Sequence, residues 1–441
     1  IVMDSLKITE DFRMKNMLDY IKEFGHVSFE ERAFSEIDAL VLTELEYLPL
    51  EKVVPSDENG ENFVTVKEIA EYMKEHKKQL FDENPMMMTP ERHEVSQIIA
   101  DAPRFQSMKF FGAVSELDKD TTKQFAAITV EVEPDVRLVI FRGTDDTLIG
   151  WKEDSLMTYS PLVAAQTDAK EYLAKQASLF NGDLMVSGHS KGGNLALYAA
   201  ATQTEDVQLR IVDIFCFDSP GLYRSVLETK GYQNIVPLAM RYIPQDALVG
   251  LMLESEVPYV IVKSDAVGAM QHSAMTWGIE DGQFIKAEKL TKNSLLNDQM
   301  FKKWTESVSD EELELFWNVF FELLFTVGIE TVNDVYGQFM HYVQEFLKAA
   351  GKMDEEKREL LTRVALLLVS TRFQVWRDSF DMSEMVPFEI PEVRLPTWDE
   401  LMTTLSWKKN GFEMHYHATE ENEEIRAYYQ QRHEQKKHEE K

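Results

Sequence analysis

The run Gly188-His189-Ser190-Lys191-Gly192, continued by Gly193-Asn194-Leu195-Ala196, sets a serine between glycines. An apolar strand-like run, Leu184-Met185-Val186-Ser187, precedes it, and an Ala/Leu-rich helical stretch follows. In that context a serine can do covalent chemistry. A strand-to-helix reversal tight enough to expose the hydroxyl strains the backbone at the serine and leaves room only for small neighbours. The following helix turns its amino end toward the site, where it favours developing negative charge. A serine hydroxyl is a weak nucleophile at neutral pH, so it needs a base, normally histidine, and a group that orients that base.

Elimination narrows the base. Downstream of Ser190 stand His272, His341, His415, His417, His433 and His438. His341 falls in a helical region and the last four in a polar carboxyl-terminal stretch. Only His272, in Met270-Gln-His-Ser-Ala-Met-Thr-Trp277, follows a predicted strand of the sheet region. His189 adjoins the nucleophile and is expected to project away from its hydroxyl, in a packing role. Three aspartates satisfy the order Ser…Asp…His: Asp218, Asp246 and Asp265. Asp218 and Asp246 each end a predicted strand, but a strand-end aspartate is also a common helix cap. Spacing alone leaves the choice open. For the oxyanion, one donor is the backbone N–H of Lys191, directly after the serine. A second is available in Phe141-Arg-Gly-Thr144, where Gly143 lets the chain turn and Thr144 offers both amide and hydroxyl. The same residues also read as a plain turn.

These residues need elements to hold them. Apolar residues at three- and four-residue steps predict helices over 11–24, 34–48 and 66–80, separated by Pro49, Pro55 and Gly60. The period then changes. Phe125–Val132 and Val136–Arg142 are strand-like runs around the turn Glu133-Pro134-Asp135, and strands and helices alternate from there to about residue 285. Such alternation predicts a mainly parallel sheet covered on both faces. Beyond it, Ser309-Asp-Glu-Glu312 reads as a capping box before an apolar helix, and 332–350 and 354–376 continue as helices. The end of the chain, from Glu420, is of mixed charge and reads as a solvated helix or tail.

Composition excludes several functions. The 441 residues carry 46 Lys+Arg against 77 Asp+Glu, a formal net charge of −31 with no basic patch, which argues against nucleic acid and anionic membrane surfaces. The 44% hydrophobic content supplies a packed core. A single cysteine, Cys216, excludes an internal disulfide framework and fits a reducing compartment. The opening residues lack a basic stretch followed by an apolar one, so a cytoplasmic protein without stable membrane insertion is expected. His415, His417, His433 and His438 form no i,i+4 ligand pair, and neither metal nor cofactor is expected. Phe316-Trp317, Phe320-Phe321 and Phe325 read as helix core.

Taken together, Phe141-Arg-Gly-Thr144, the segment with Trp151, the Gly188–Gly193 elbow, Asp246 and His272 resemble the class-3 lipase family of α/β hydrolases over roughly residues 10–290. The nearest likeness is to a bacterial branch of lipase-like proteins with a Gly-His-Ser-Lys-Gly-Gly-Asn elbow, where better-known lipases carry Leu for Lys. The resemblance implies an α/β-hydrolase fold, and the chain carries a C-terminal helical appendage outside it. Its segments are a helical lead-in packed on the core (1–100), the hydrolase core (101–290), the appendage (291–378) and a polar tail (379–441). It implies Ser190 as nucleophile, His272 as base and Asp246 as orienting acid, with Asp246 moved ahead of Asp218. Thr144 and the Lys191 amide would form the oxyanion hole, 145–159 would correspond to the lid, and Trp151 would lie near the acyl-binding mouth. Two departures stand out: Lys191 sets a cation beside the site, and the lid-like segment carries Asp145, Asp146, Lys152, Glu153 and Asp154. Both favour a soluble acyl ester over a fat droplet. The alternative is a weak or inactive hydrolase-fold scaffold that binds partners through its appendage.

Overall fold

The structure is a computed structural model. It describes residues 13–378 other than 58, 84–86, 332–333 and 335–338, together with 405–408 and 411–414. The four trailing histidines and most of the polar tail lie outside the described residues. Six helices come first: Met17–Phe24 (α1), Glu36–Leu45 (α2), Val66–Glu75 (α3), Lys77–Glu83 (α4), Pro90–Ala100 (α5) and Pro103–Gln106 (α6). The predicted 11–24 helix begins only at Met17, because the Asn16 side chain accepts from Leu18 N–H and caps it there. The predicted 66–80 helix breaks after Glu75 and restarts at Lys77. Every residue of α2 from Ile37 to Leu45 is buried, as expected of a helix that is apolar on most sides.

The central sheet has seven strands in sequential order: Lys109–Asp118 (β1), Lys123–Glu133 (β2), Val136–Phe141 (β3), Asp183–His189 (β4), Ile211–Phe217 (β5), Ala239–Pro244 (β6) and Tyr259–Val262 (β7). The first three pair antiparallel and β3 to β7 pair parallel. The parallel connections carry Leu148–Leu156 (α7) and Ala164–Leu179 (α8), then Lys191–Ala201 (α9) and Glu205–Gln208 (α10), then Arg224–Leu227 (α11) and Lys230–Ile235 (α12).

Sequential order has a packing consequence. Parallel crossovers share one hand, so crossovers that always step the same way lay their helices on one face of the sheet. Strand alternation bears this out. Ala127, Val139 and Phe141 point into a core with Ala169, Leu173, Leu197 and Tyr232 from the crossover helices. Ile128, Val130, Leu138 and Ile140 point the other way, into a core with Leu18, Leu40, Ile69 and Val95 from α1, α2, α3 and α5. The amino-terminal helices are therefore the second cover of the sheet.

After β7 a short hairpin, Ile279–Glu280 (β8) with Gln283–Phe284 (β9), leads to Lys292–Glu306 (α13), Asp310–Thr326 (α14), Phe339–Lys352 (α15) and Glu355–Asp378 (α16). Ser309 and Glu312 form the expected capping box of α14. Trp304, Leu313, Phe316, Val319, Leu361 and Val364 build a separate core, joined from the hydrolase side by Leu156 and Tyr159. Leu148 packs on Phe321 and Ile329, and its N–H donates to Glu330 O at 2.8 Å. Residues 405–408 and 411–414 pair as a short antiparallel hairpin within the predicted tail. Among the described residues, no helix is long and apolar enough to cross a membrane.

Candidate active site

Ser190 stands between the end of β4 and the start of α9 with φ 58° and ψ −132°. A side-chain-bearing residue rarely adopts positive φ, so the turn stores strain that its surroundings must hold. They do so by contact. The Ser190 N–H donates to Phe217 O at 2.9 Å, fastening the turn to the end of β5. A β-carbon on Gly188 would overlap the Gly192 backbone, and one on Gly192 would overlap the Phe141 carbonyl. A β-carbon on Gly143 would lie 3.1 Å from Ser190 Cβ and 2.6 Å from His189 O, which brings the Phe141–Thr144 loop directly against Ser190.

His272 lies in the loop after β7, and its ring stacks on His189 with centroids 4.6 Å apart. Its Nδ1 donates to Asp218 Oδ2 at 2.6 Å; the imidazole is 31% exposed and the carboxylate 0%. Because Nδ1 carries the proton toward a carboxylate, Nε2 is left with a lone pair, the state a general base requires. Asp218 itself has φ 38° and accepts from Gly250 N–H at 3.0 Å through Oδ1, so both oxygens are occupied.

The expectation that Asp246 orients His272 is corrected by this geometry. Asp246 Oδ1 accepts from the hydroxyl of Thr291, the N-cap of α13, and from Asn293 at 3.4 Å. It steadies the start of α13 by holding the Thr291 hydroxyl, while Thr291 itself caps the helix by accepting from Ser294 N–H. Its backbone still serves the site, since Asp246 N–H donates to Gln271 Oε1 at 2.9 Å and steadies the residue before His272. The sheet explains the preference: β5 neighbours β4, so its end is about 4.8 Å from the strand that leads to Ser190, whereas β6 is a strand further away.

His189 is packed as expected, and its partners fix its state. Nε2 faces the His272 carbonyl at 2.8 Å and must donate, so Nδ1 accepts from the Tyr47 hydroxyl at 2.7 Å. Burial pushes its pKa down to about 3, and the neighbouring His272 acts in the same direction. His189 is thus a neutral strut between the end of α2 and the loop that carries His272.

The Thr144 hydroxyl donates to Asp154 Oδ2 at 2.5 Å. Asp154, on α7, has its pKa raised to about 6 by burial, opposed by the Lys191 charge and the Thr144 bond. Its other oxygen has no hydrogen-bond partner among the described residues. Trp151, one residue past the close contact of Gly150 with Thr144, is 46% exposed on the same helix.

Lys191 corrects a second expectation. Its ammonium does not flank the site. It is buried beneath α7, where its three protons meet three acceptors: Gln124 O at 2.8 Å, Gln124 Oε1 at 2.6 Å and Glu153 Oε2 at 3.0 Å. Glu153 is wholly buried and also accepts from the backbone N–H groups of Gln124 and Ala165. Glu153 and Asp154, read from sequence as surface charges of a lid, therefore point inward. Sequence reasoning missed both roles. The available signal was Lys191 itself: a lysine in the first turn of a small-residue helix behind a strand has to be buried, and a buried ammonium requires a carboxylate.

A mostly parallel sheet flanked by helices, with a strained serine at a strand–helix elbow, gives the α/β-hydrolase fold. A family model described as Mbeg1-like matches residues 99–322, just over half of the chain, and the chain belongs to that family. Among solved structures it is similar to M37 lipase, at 12% identity over 50% of this chain and 70% of that one, with a TM-score of 0.32. It is also similar to the lipase from Rhizopus microsporus var. chinensis, at 14% identity over 59% and 81% of the two chains, with a TM-score of 0.33. A third is a mutant form of MDLA from Penicillium cyclopium, at 12% identity over 61% and 89%, with a TM-score of 0.31. At such values no residue role transfers. None of the curated proteins matches the sequence.

Proposed function

We propose that the protein is a serine hydrolase of carboxylic esters. Ser190 Oγ attacks the acyl carbonyl carbon while its proton passes to His272 Nε2, and the carboxylate of Asp218 stabilises the imidazolium that forms. The negative oxygen of the tetrahedral intermediate is received by the Lys191 amide and by Thr144. Collapse breaks the C–O bond, and the alcohol leaves with the proton held by His272. Water then repeats the sequence on the acyl-enzyme, releasing the acid and restoring Ser190. The net charge of −31 favours a soluble acyl ester over one presented on an anionic lipid surface.

The observation that carries this reading is the 2.6 Å bond from His272 to a fully buried Asp218, beside a serine held at φ 58°. The test is a fluorophosphonate probe together with p-nitrophenyl ester turnover. Labelling should be lost in Ser190→Ala. Asp218→Asn should lower kcat by about 10⁴-fold, as wrong-tautomer histidines do in serine triads. Asp246→Asn should leave kcat near wild type. Wild-type protein that neither labels nor turns over ester would defeat the proposal, and a larger loss in Asp246→Asn would return the acid to Asp246.

A further inference from the structure

Lys191 has a buried ammonium that the proposed reaction does not use. Its backbone N–H serves the oxyanion, yet the side chain turns away and ties together four elements of the fold. Glu153 draws in α7, Gln124 belongs to β2, Ala165 opens α8, and Lys191 itself starts α9. Every proton of the ammonium is matched, and Glu153 accepts three bonds, so the desolvated pair is fully compensated. The residue after Glu153 is Asp154, the acceptor of the Thr144 hydroxyl. A short physical path therefore leads from the Lys191 ammonium through Glu153 and Asp154 to the group that faces the oxyanion. On its outer side α7 is held as well: Thr147 pairs with Thr331, and Leu148 and Leu156 pack into the helical appendage.

We propose that Lys191 is a positioning residue: through its ion pair with Glu153 it fastens α7 so that Asp154 holds Thr144 beside Ser190. The oxyanion site is then assembled before substrate arrives, and no displacement of α7 is needed to complete it. The proposal rests on the reading of Ser190 as an ester-cleaving nucleophile.

The test is a cycle of Lys191→Met, Glu153→Met and the paired variant in the full chain. Its readouts are amide hydrogen exchange across residues 148–156, thermal midpoint, and kcat and KM on p-nitrophenyl butyrate. Each single variant leaves one buried charge unmatched and should lose thermal stability, whereas the pair removes both charges and should recover most of it. Exchange across 148–156 should rise in the pair, and its kcat should stay at least ~10-fold below wild type with KM little changed, since the lost interaction acts on the transition state. A purely structural ion pair predicts instead that kcat recovers together with the thermal midpoint. That recovery, or wild-type exchange across 148–156 in the paired variant, overturns the proposal. If the single variants fail to fold, the pair alone decides. If wild-type protein has no esterase activity, the functional reading falls, and exchange across 148–156 still tests the fastening by itself.

Discussion

The site depends on hydrogen bonds whose donors are fixed by chemistry. Asp218 accepts from His272 and from Gly250, and a β-carbon on Gly250 would overlap Asp218 Oδ1, so only glycine allows that approach. Thr144 presents a similar economy, with its hydroxyl tied to Asp154 and its loop pressed against Ser190. Thr144→Val keeps the shape and removes the hydroxyl. The hydroxyl proton is committed to Asp154, so the lost bond is one that positions the Thr144 amide. The kcat should therefore fall by about 10–10²-fold with KM little changed, the cost of a misplaced group. Thr144→Ser should restore most of it, and a valine variant with wild-type kcat would show that the bond to Asp154 does not position this loop. Ser190 and His272 could be singled out in the sequence as candidates because an elbow needs glycines and because only one downstream histidine follows a strand. The acid was not legible, since Asp218 and Asp246 both end strands and chain order does not say which strand lies beside β4. Glu153 and Asp154 were misread for a related reason: in sequence, a carboxylate facing water and one facing a buried lysine look alike.

Helix α7 is held between two bodies, with the elbow beneath it and the aromatic face of α14 above. Phe321 packs with Leu148 and Ile329, and its ring stands 5.5 Å from Phe320 and 6.1 Å from Trp317. Phe321→Ala should cost about 3–5 kcal/mol, the range for truncating a buried aromatic. Denaturant melting measures it, and a loss below about 1 kcal/mol would mean that α14 docks by other contacts. The appendage was legible as helices from the capping box at Ser309 and the apolar period that follows. Its docking on α7 was not, because an apolar helical face names no partner. The same limit hid β1. Lys109–Asp118 alternates poorly at its exposed end, and its place at the sheet edge follows from pairing with β2 rather than from its own pattern.

Across the whole molecule the acidic excess lies outside, while the core keeps selected charges. Arg104 and Asp38 are both wholly buried and bonded at 2.6 Å, with Tyr20 donating to the same carboxylate. Glu46 has no such ion-pair partner at bonding distance among the described residues. Burial pushes its pKa from 4.5 up to about 8, against the pull of Arg142 and with the push of Glu51, so it is mainly protonated at neutral pH. The native state then binds more protons than the unfolded chain between about pH 4.5 and 8. Stability from this group is full below that window, falls through it and levels off above it. Glu46→Gln cannot ionise, so it should be more stable than wild type at pH 9 and nearly equal at pH 4. Urea melts at the two pH values measure it, and an equal difference at both would remove Glu46 as the source.

The one-sided crossovers also set an order of events in time. Helices α1, α2, α3 and α5 are synthesised before every strand they cover, and their partners extend to Phe215, Phe217 and Tyr242. The Phe34 ring, for example, meets Phe215 across most of the hydrolase region. Until β5 and β6 have left the ribosome, these apolar helix faces have no sheet to rest on. The parallel strands must associate first, through contacts distant in sequence, and such contacts form slowly. A segment made before the sheet is thus among the last able to reach its native place, so nascent molecules carry exposed apolar helices while the strands that cover them are still being added.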